Sequence, residues 1–269
     1  APRIIPHMST GPNLIVVNVG NTRTTVARCV DGELQVSETF LDTDLAAICD
    51  QITTWWRQMG SLDRAAVVMA SVNEPVAMSI GSAVEDQLGV GVYRIGEDLP
   101  VPIGRQLDPE TITGVDRLLN AAAAFAAVQQ ACIVVDAGTA VTVDFVDGEG
   151  TFHGGAIAPG AGMQLRALHR ETDMLPELNF RRPAGEPFGR STAEAMLIGV
   201  HHGIRGMVWK IVERYAEAYG AFPMVVATGG DAEALFEEDE LVDRIVPDLA
   251  LRGIIAAARS ALEVEDRGD

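Results

Sequence analysis

The residues best suited to chemistry fall into two short clusters and one helix start. Asn18, Gly20, Asn21 and Thr22 follow the apolar run 14–17, and Thr24 and Thr25 open a second β-prone run. Glycine and asparagine accept positive φ, so such a turn can present several backbone N–H groups together. A concave set of N–H groups suits phosphate oxygens, and the hydroxyls of Thr22, Thr24 and Thr25 add donors. The same stretch also reads as an ordinary β-hairpin turn. Asp136, Gly138 and Thr139 follow another apolar run at 133–135. Between the clusters, Thr113-Gly114-Val115-Asp116-Arg117 opens a helix and sets a carboxylate beside a guanidinium. A carboxylate can take the proton of an attacking hydroxyl, and a guanidinium can bind both oxygens of a carboxylate. Thr113-x-x-Asp116 is equally a capping-box pattern.

The two clusters are copies of one unit. Residues 15–33 read IVVNVGNTRTTVARCVDGE, and residues 133–149 read IVVDAGTAVTVDFVDGE. Each has an apolar triplet, Asn or Asp, one variable residue, Gly, a Thr-containing turn, a β-prone run and Val-Asp-Gly-Glu. An internal repeat implies a duplicated supersecondary unit. Two such turns facing each other across a cleft would hold one polyphosphate. Asn18 and Asp136 occupy equivalent positions.

The elements around them alternate strand and helix. Residues 34–40 read as a third strand. Leu45, Ile48, Ile52, Trp55, Trp56 and Met59 carry helical spacing over 44–59, and the paired Trp read as core rather than as a ligand platform. Strands follow at 65–70 and 90–95, with a helix at 76–88 between them. Residues 96–111, with three prolines, read as a linker or a substrate loop. The helix from Thr113 has an apolar face of Val115, Leu118, Leu119, Ala122 and Phe125, leaving Asp116 and Asn120 on another side. Gly154–Gly160 precedes a helix at 163–168, a loop to Phe188 and a long helix at 192–219. In that helix Ala195, Gly199 and Gly203, with Gly206 nearby, make a small-residue stripe expected at a dimer interface or deep in the core. His201-His202 in the same helix and His153 read as structural. A strand at 225–228 ends in Gly229-Gly230-Asp231, a third backbone turn, and a helix at 249–262 follows. The division expected is a tail over 1–12, domains over 13–112 and 113–262, and a charged, frayed tail over 263–269.

Composition sets limits. The chain has 269 residues, is 48% hydrophobic and carries 38 acidic against 20 basic residues, for a net charge of −18. That balance argues against general nucleic-acid binding. Cys29, Cys49 and Cys132 are scattered, without metal-ligand spacing, which fits a reducing cytoplasm. No run reads as a membrane span. Residues 1–12 lack the apolar stretch of a signal peptide, and Met8 is a candidate start.

Through these motifs the chain resembles the actin/hexokinase/Hsp70-like ATPases. Within that class it resembles the type III pantothenate kinases, through Gly114-Val115-Asp116-Arg117, Asp136–Thr142, Gly154–Gly160, Leu175-Pro176 and Gly189-Arg190-Ser191-Thr192. The resemblance implies an α/β fold of two duplicated ribonuclease-H-like domains, each with a central mixed sheet, and a nucleotide cleft between them. It implies ATP-dependent phosphorylation of pantothenate, the first step toward coenzyme A, by a cytoplasmic homodimer that binds neither nucleic acid nor membrane. It assigns Asp116 as general base and Gly114, Val115, Asp116, Arg117 and Thr192 to pantothenate. Asn18, Gly20, Asn21, Thr22 and Thr139 go to ATP, and Asp136 to a monovalent cation, K⁺ or NH₄⁺. Mg²⁺ would lie at Asn18, weakened because the family usually has Asp there. Gln106 stands where the family often has Tyr, which removes an aromatic wall of the substrate pocket. These departures leave two alternatives: a weakened homologue that binds nucleotide or a partner as a regulator, and a kinase for another small hydroxylated acid.

Overall fold

The computed structural model describes residues 11–60 and 65–268, with side chains described through residue 262. The tail expected over 1–12 lies, for residues 1–10, outside the described residues. The chain forms two compact units, residues 1–102, 114–119 and 250–269 in one and 103–113 and 120–249 in the other. This differs from a single cut at 112/113, because residues 114–119 and the last helix group with the first unit.

The first unit is built on β1 (Asn13–Val19), β2 (Arg23–Val30), β3 (Glu33–Leu41), β4 (Ala65–Ser71) and β5 (Val92–Arg94), in the order β3-β2-β1-β4-β5. β1 is antiparallel to β2 and parallel to β4. Helices α1 (Leu45–Met59) and α2 (Glu74–Leu88) pack Ile48, Ile52, Trp55, Ala77, Ile80 and Val84 against Ile15, Val17, Val19 and Val26. Trp55 is buried in that core and Trp56 packs against it, as helical spacing predicts. Asp44 caps α1 by accepting from the N–H of Ala47 at 3.3 Å. The β2–β3 turn has positive φ at both Asp31 (52°) and Gly32 (78°), as a two-residue hairpin needs to match strand twist.

The second unit repeats this plan. β7 (Cys132–Ala137), β8 (Ala140–Val146), β9 (Thr151–Pro159), β10 (Met224–Thr228) and β11 (Arg244–Ile245) run in the order β11-β10-β7-β8-β9, and β6 (Gly104–Arg105) extends the sheet beside β9. The stretch read as a linker therefore gives this sheet an edge strand. The duplication reaches the register. Asn18 faces Thr25 and Asp136 faces Thr142. Each copy also carries a bulge three residues after that Thr, at Arg28/Cys29 and at Phe145/Val146. The matching Val-Asp-Gly-Glu segments turn differently. Asp147 accepts from the N–H groups of Glu149 and Thr151 at 3.0 and 2.8 Å, and the positive φ (82°) falls on Gly150.

Helix α3 (Val115–Val128) leads into β7, and α4 (Ala161–Arg170) follows β9. Helix α5 (Thr192–Tyr219) buries Leu197, Val200, Ile204, Val208 and Val212 against β7 and β8. Its glycines at 199, 203 and 206 each cost about 1 kcal/mol of helix propensity. Each buried aliphatic contributes roughly 1.5–3 kcal/mol, so tertiary burial outweighs them. The small-residue stripe is exposed, and a Cβ at any of these three glycines meets open space. It therefore does not lie deep in the core. α6 (Ala232–Phe236) follows β10. The last helix, α7 (Leu249–Gly268), runs beyond 262 into the segment expected to fray. Gly253 gives the backbone of Leu119 room against α7, and Arg259 Nη2 donates to the carbonyl of Gly32 at 3.2 Å.

His201 is 3% exposed, and neither ring nitrogen has a hydrogen-bond partner among the described residues. Burial, then the nearby His202 and Arg205, push its pKa down from 6.5 to about 4. Such a group is neutral in the fold and gains a proton on unfolding. Its contribution is complete above pH 6.5 and is lost as pH falls from 6.5 toward 4, at most about 3 kcal/mol. His201→Leu is expected to flatten that part of the acid slope in thermal unfolding. Parallel wild-type and variant slopes across this window would remove His201 as the cause. Cys29 and Cys132 are buried, which raises their thiols to about 11 and about 12, so neither offers a thiolate near neutral pH.

Candidate active site

In the first unit, Gly20 N–H closes the β1–β2 turn on the carbonyl of Arg23 at 3.0 Å, and a Cβ at residue 20 would stand 2.8 Å from that oxygen. Asn21 and Thr22 are exposed at the tip, and Asn18 is half-buried behind them. Thr24 does not join the turn's outward donors. Its side chain falls on the core face of β2, fully buried, and its hydroxyl donates to Asp42 Oδ1 at 2.8 Å. The Asp42 N–H donates to the carbonyl of Thr22 at 3.2 Å, so Asp42 braces the turn from beneath. Thr25 shares the face of Asn18, and its hydroxyl pairs with that of Thr39 at 2.9 Å.

Asp116 stands in the first turn of α3, half-buried, and its Oδ1 accepts from the N–H of Arg117 at 2.8 Å. Thr113 Oγ1 is buried without a partner among the described residues, so the capping box Thr113-x-x-Asp116 does not form. A Cβ at Gly114 would lie 2.5 Å from Asp116 Oδ1, so only glycine keeps this carboxylate in place. Val115 and Arg117 are half-buried beside it.

In the second unit, Asp136 lies in register with Thr142 on β8 and Thr228 on β10. The next turn is closed by Gly138 N–H to the carbonyl of Ala140 at 2.9 Å. Two other segments press on it. A Cβ at Gly229 (φ 95°) would lie 2.5 Å from Asp136 Oδ1 and would also strike the carbonyl of Ala137. Gly160 N–H donates to the carbonyl of Thr139 at 3.1 Å, and a Cβ there would strike the carbonyl of Gly138. The Thr-Gly-Gly turn and the end of the Gly154–Gly160 motif thus pack on the Asp136–Thr139 turn. Their glycines are spacing devices.

Thr192 opens α5 exposed, while Ser191 caps the helix by accepting from the N–H of Glu194 at 3.2 Å. The Glu194 side chain does not reach back to complete the box; it pairs with Arg181. Beside Thr192 lies a hollow of about 210 Å³ lined by Ala184, Phe188, Arg190, Ser191, Glu194 and Ile198, among others. Gln106 is exposed, with its N–H on the carbonyl of Phe152 at 2.9 Å.

The periodicity of α3 does not reveal the role of one residue. Asn120, on another side from the apolar face, is 2% exposed, and its Nδ2 donates to Asp136 Oδ2 at 2.9 Å. The only signal in the sequence was an Asn between Leu119 and an alanine run, where an unpaired polar group is costly.

A duplicated mixed sheet with a strand–turn–strand unit at the head of each copy is the fold of the actin and hexokinase class. A Baf family protein from Campylobacter jejuni, described as a transcriptional activator, aligns with TM-score 0.60 at 18% identity, over 93% of this chain and 99% of that one. The ADPNP-bound activator of 2-hydroxyisocaproyl-CoA dehydratase from Clostridium difficile aligns with TM-score 0.53 at 15% identity, over 95% and 96%. At these identities the likeness is one of fold alone. A sequence model of the type III pantothenate kinase family matches residues 14–214. The type III pantothenate kinase of Rhodospirillum rubrum is 34% identical over 253 residues, 91% of this chain and 98% of the relative. That of Akkermansia muciniphila is 41% identical over 174 residues, 65% and 66% of the two chains. The chain belongs to the type III pantothenate kinase family. Among the described residues no helix is long and apolar enough to cross a membrane.

Proposed function

We propose that this chain transfers the γ-phosphoryl group of ATP to the primary hydroxyl of pantothenate, giving 4′-phosphopantothenate for coenzyme A synthesis. The observation that carries the reading is Asp116, whose carboxylate takes no part in a capping box and sits where Gly114 leaves it room. Asp116 accepts the hydroxyl proton as the new oxygen–phosphorus bond forms and the bond to the ADP oxygen breaks. Arg117 pairs with the pantothenate carboxylate, with Gly114, Val115 and Thr192 completing that side. Asn18, Gly20, Asn21, Thr22 and Thr139 hold ATP phosphates by hydrogen bonds.

Asp136 suits a monovalent cation such as K⁺ or NH₄⁺. It is a hard oxygen donor, and Gly229 spares its Oδ1 a Cβ that would stand 2.5 Å away. Asn18 offers Mg²⁺ a neutral oxygen, a weaker partner than a carboxylate. Bound Mg²⁺ supplies charge neutralisation on the phosphates. The enzyme works in the cytoplasm as a homodimer, for which the exposed stripe of Ala195, Gly199, Gly203 and Gly206 is the candidate contact.

The test is ATP consumption with and without pantothenate, in Mg²⁺ and K⁺. The expected result is ADP and 4′-phosphopantothenate in equal amounts. ATP binding with no pantothenate-dependent turnover would favour the regulator, and turnover only with another hydroxy acid would reassign the substrate.

A further inference from the structure

Asn120 is a buried amide placed against the one turn carboxylate that the repeat retains. Its Nδ2 donates to Asp136 Oδ2 at 2.9 Å, while the residue is 2% exposed. Its Oδ1 is buried with no partner among the described residues, and so is Thr142 Oγ1. Thr142 is directly opposite Asp136 in the β7–β8 ladder, and directly opposed residues share a face. Two orphaned oxygens therefore flank one carboxylate. Buried polar atoms left without partners call for an explanation, and a cation taking both oxygens together with Asp136 supplies one.

From this, and resting on the reading of Asp136 as the monovalent-cation ligand, we infer that Asn120 is the positioning residue of that site, fixing the Asp136 carboxylate through Oδ2 and lending its own Oδ1 to the cation. The chemistry selects an amide. A Lys or Arg at 120 would donate the same bond but cancel the charge that attracts the cation. An aliphatic residue would remove that bond and offer the cation no oxygen. Asn donates without adding charge and holds the carboxylate by one oxygen. The other oxygen, Oδ1, is the one that a Cβ at residue 229 would crowd at 2.5 Å.

The test reads K⁺ binding without turnover. Thermal unfolding of the full chain is followed against K⁺ at constant ionic strength, with tetramethylammonium as the replacing ion. The kcat and the KM for pantothenate are measured over the same series. The wild type is expected to gain thermal stability with K⁺. Asn120→Leu keeps the side-chain size and removes both polar atoms. It is expected to need at least tenfold more K⁺ for half of that gain and for half-maximal kcat, with KM for pantothenate at saturating K⁺ changed less than twofold. Asn120→Ala removes the same bond by leaving a cavity, and the same shift is expected if the Leu variant fails to fold. A folded variant that is less stable by the same amount with and without K⁺, with its half-saturating K⁺ within twofold of wild type, overturns the inference and leaves Asn120 a packing residue. A wild type with no K⁺-dependent gain overturns the cation reading of Asp136 itself, and the inference with it.

Discussion

Asp116→Asn is expected to lower kcat for pantothenate phosphorylation by roughly a hundred- to ten-thousand-fold, the usual range for losing a positioned general base, while ATP binds as before. The substitution is close to a pure removal of basicity. An amide oxygen at 116 can still accept the Arg117 N–H that Oδ1 now takes at 2.8 Å, so the start of α3 keeps its bond. The amide occupies the same volume, so the space left by Gly114 stays sufficient. Nothing at 113 depends on the side chain, because Thr113 makes no cap with it. Steady-state kcat together with calorimetric ATP affinity separates the outcomes. A kcat within tenfold of wild type would remove Asp116 from the base role and return it to a helix-start residue. A regulator would show no turnover in either protein, so the comparison also bears on that reading.

What could be read from the sequence depended on length and alternation. The duplication was legible because a strand–turn–strand unit constrains each position along some seventeen residues, and the matched registers of Asn18 with Thr25 and Asp136 with Thr142 follow from it. α1 was legible because Asp44, Ile48, Ile52 and Trp55 combine a cap with one apolar face. β6, β11 and α6 carry too few residues to show any period. Thr24 and Thr25 were read together as donors, yet strand alternation sends neighbours to opposite faces. One therefore meets Asp42 under the turn and the other shares the face of Asn18. The identical Val-Asp-Gly-Glu segments diverged because Gly150 follows the second, and its positive φ lets the chain turn one residue later. Asn120 escaped because helical periodicity sorts side chains by polarity. A buried amide is held there by a carboxylate sixteen residues on, and a helical period carries no information about that partner.

Asn18→Asp is expected to lower the Mg²⁺ concentration for half-maximal turnover by roughly ten- to a hundredfold. A carboxylate reaching Mg²⁺ through a water interacts over about 5 Å at high effective dielectric, worth roughly 1.5–3 kcal/mol, and each 1.4 kcal/mol is about tenfold in affinity. The local structure accepts the change. Asn and Asp are nearly isosteric, residue 18 is half-buried at the end of β1, and its cross-strand neighbour Thr25 is a hydroxyl already paired with Thr39. The repeat supports the direction: the equivalent residue 136 is an Asp, and the backbone around it has the same register. The chain thus carries charge at one turn and only a neutral amide at the other. A Mg²⁺ titration of turnover, paired with calorimetry of the nucleotide, distinguishes a metal effect from a general gain in ATP affinity. If both Mg²⁺ dependence and turnover stay at the wild-type level, residue 18 does not face the metal, and the weakness attributed to Asn18 disappears with it. If turnover appears only in the variant, the natural Asn18 is what holds this chain below the activity its Asp116 and Arg117 would otherwise support.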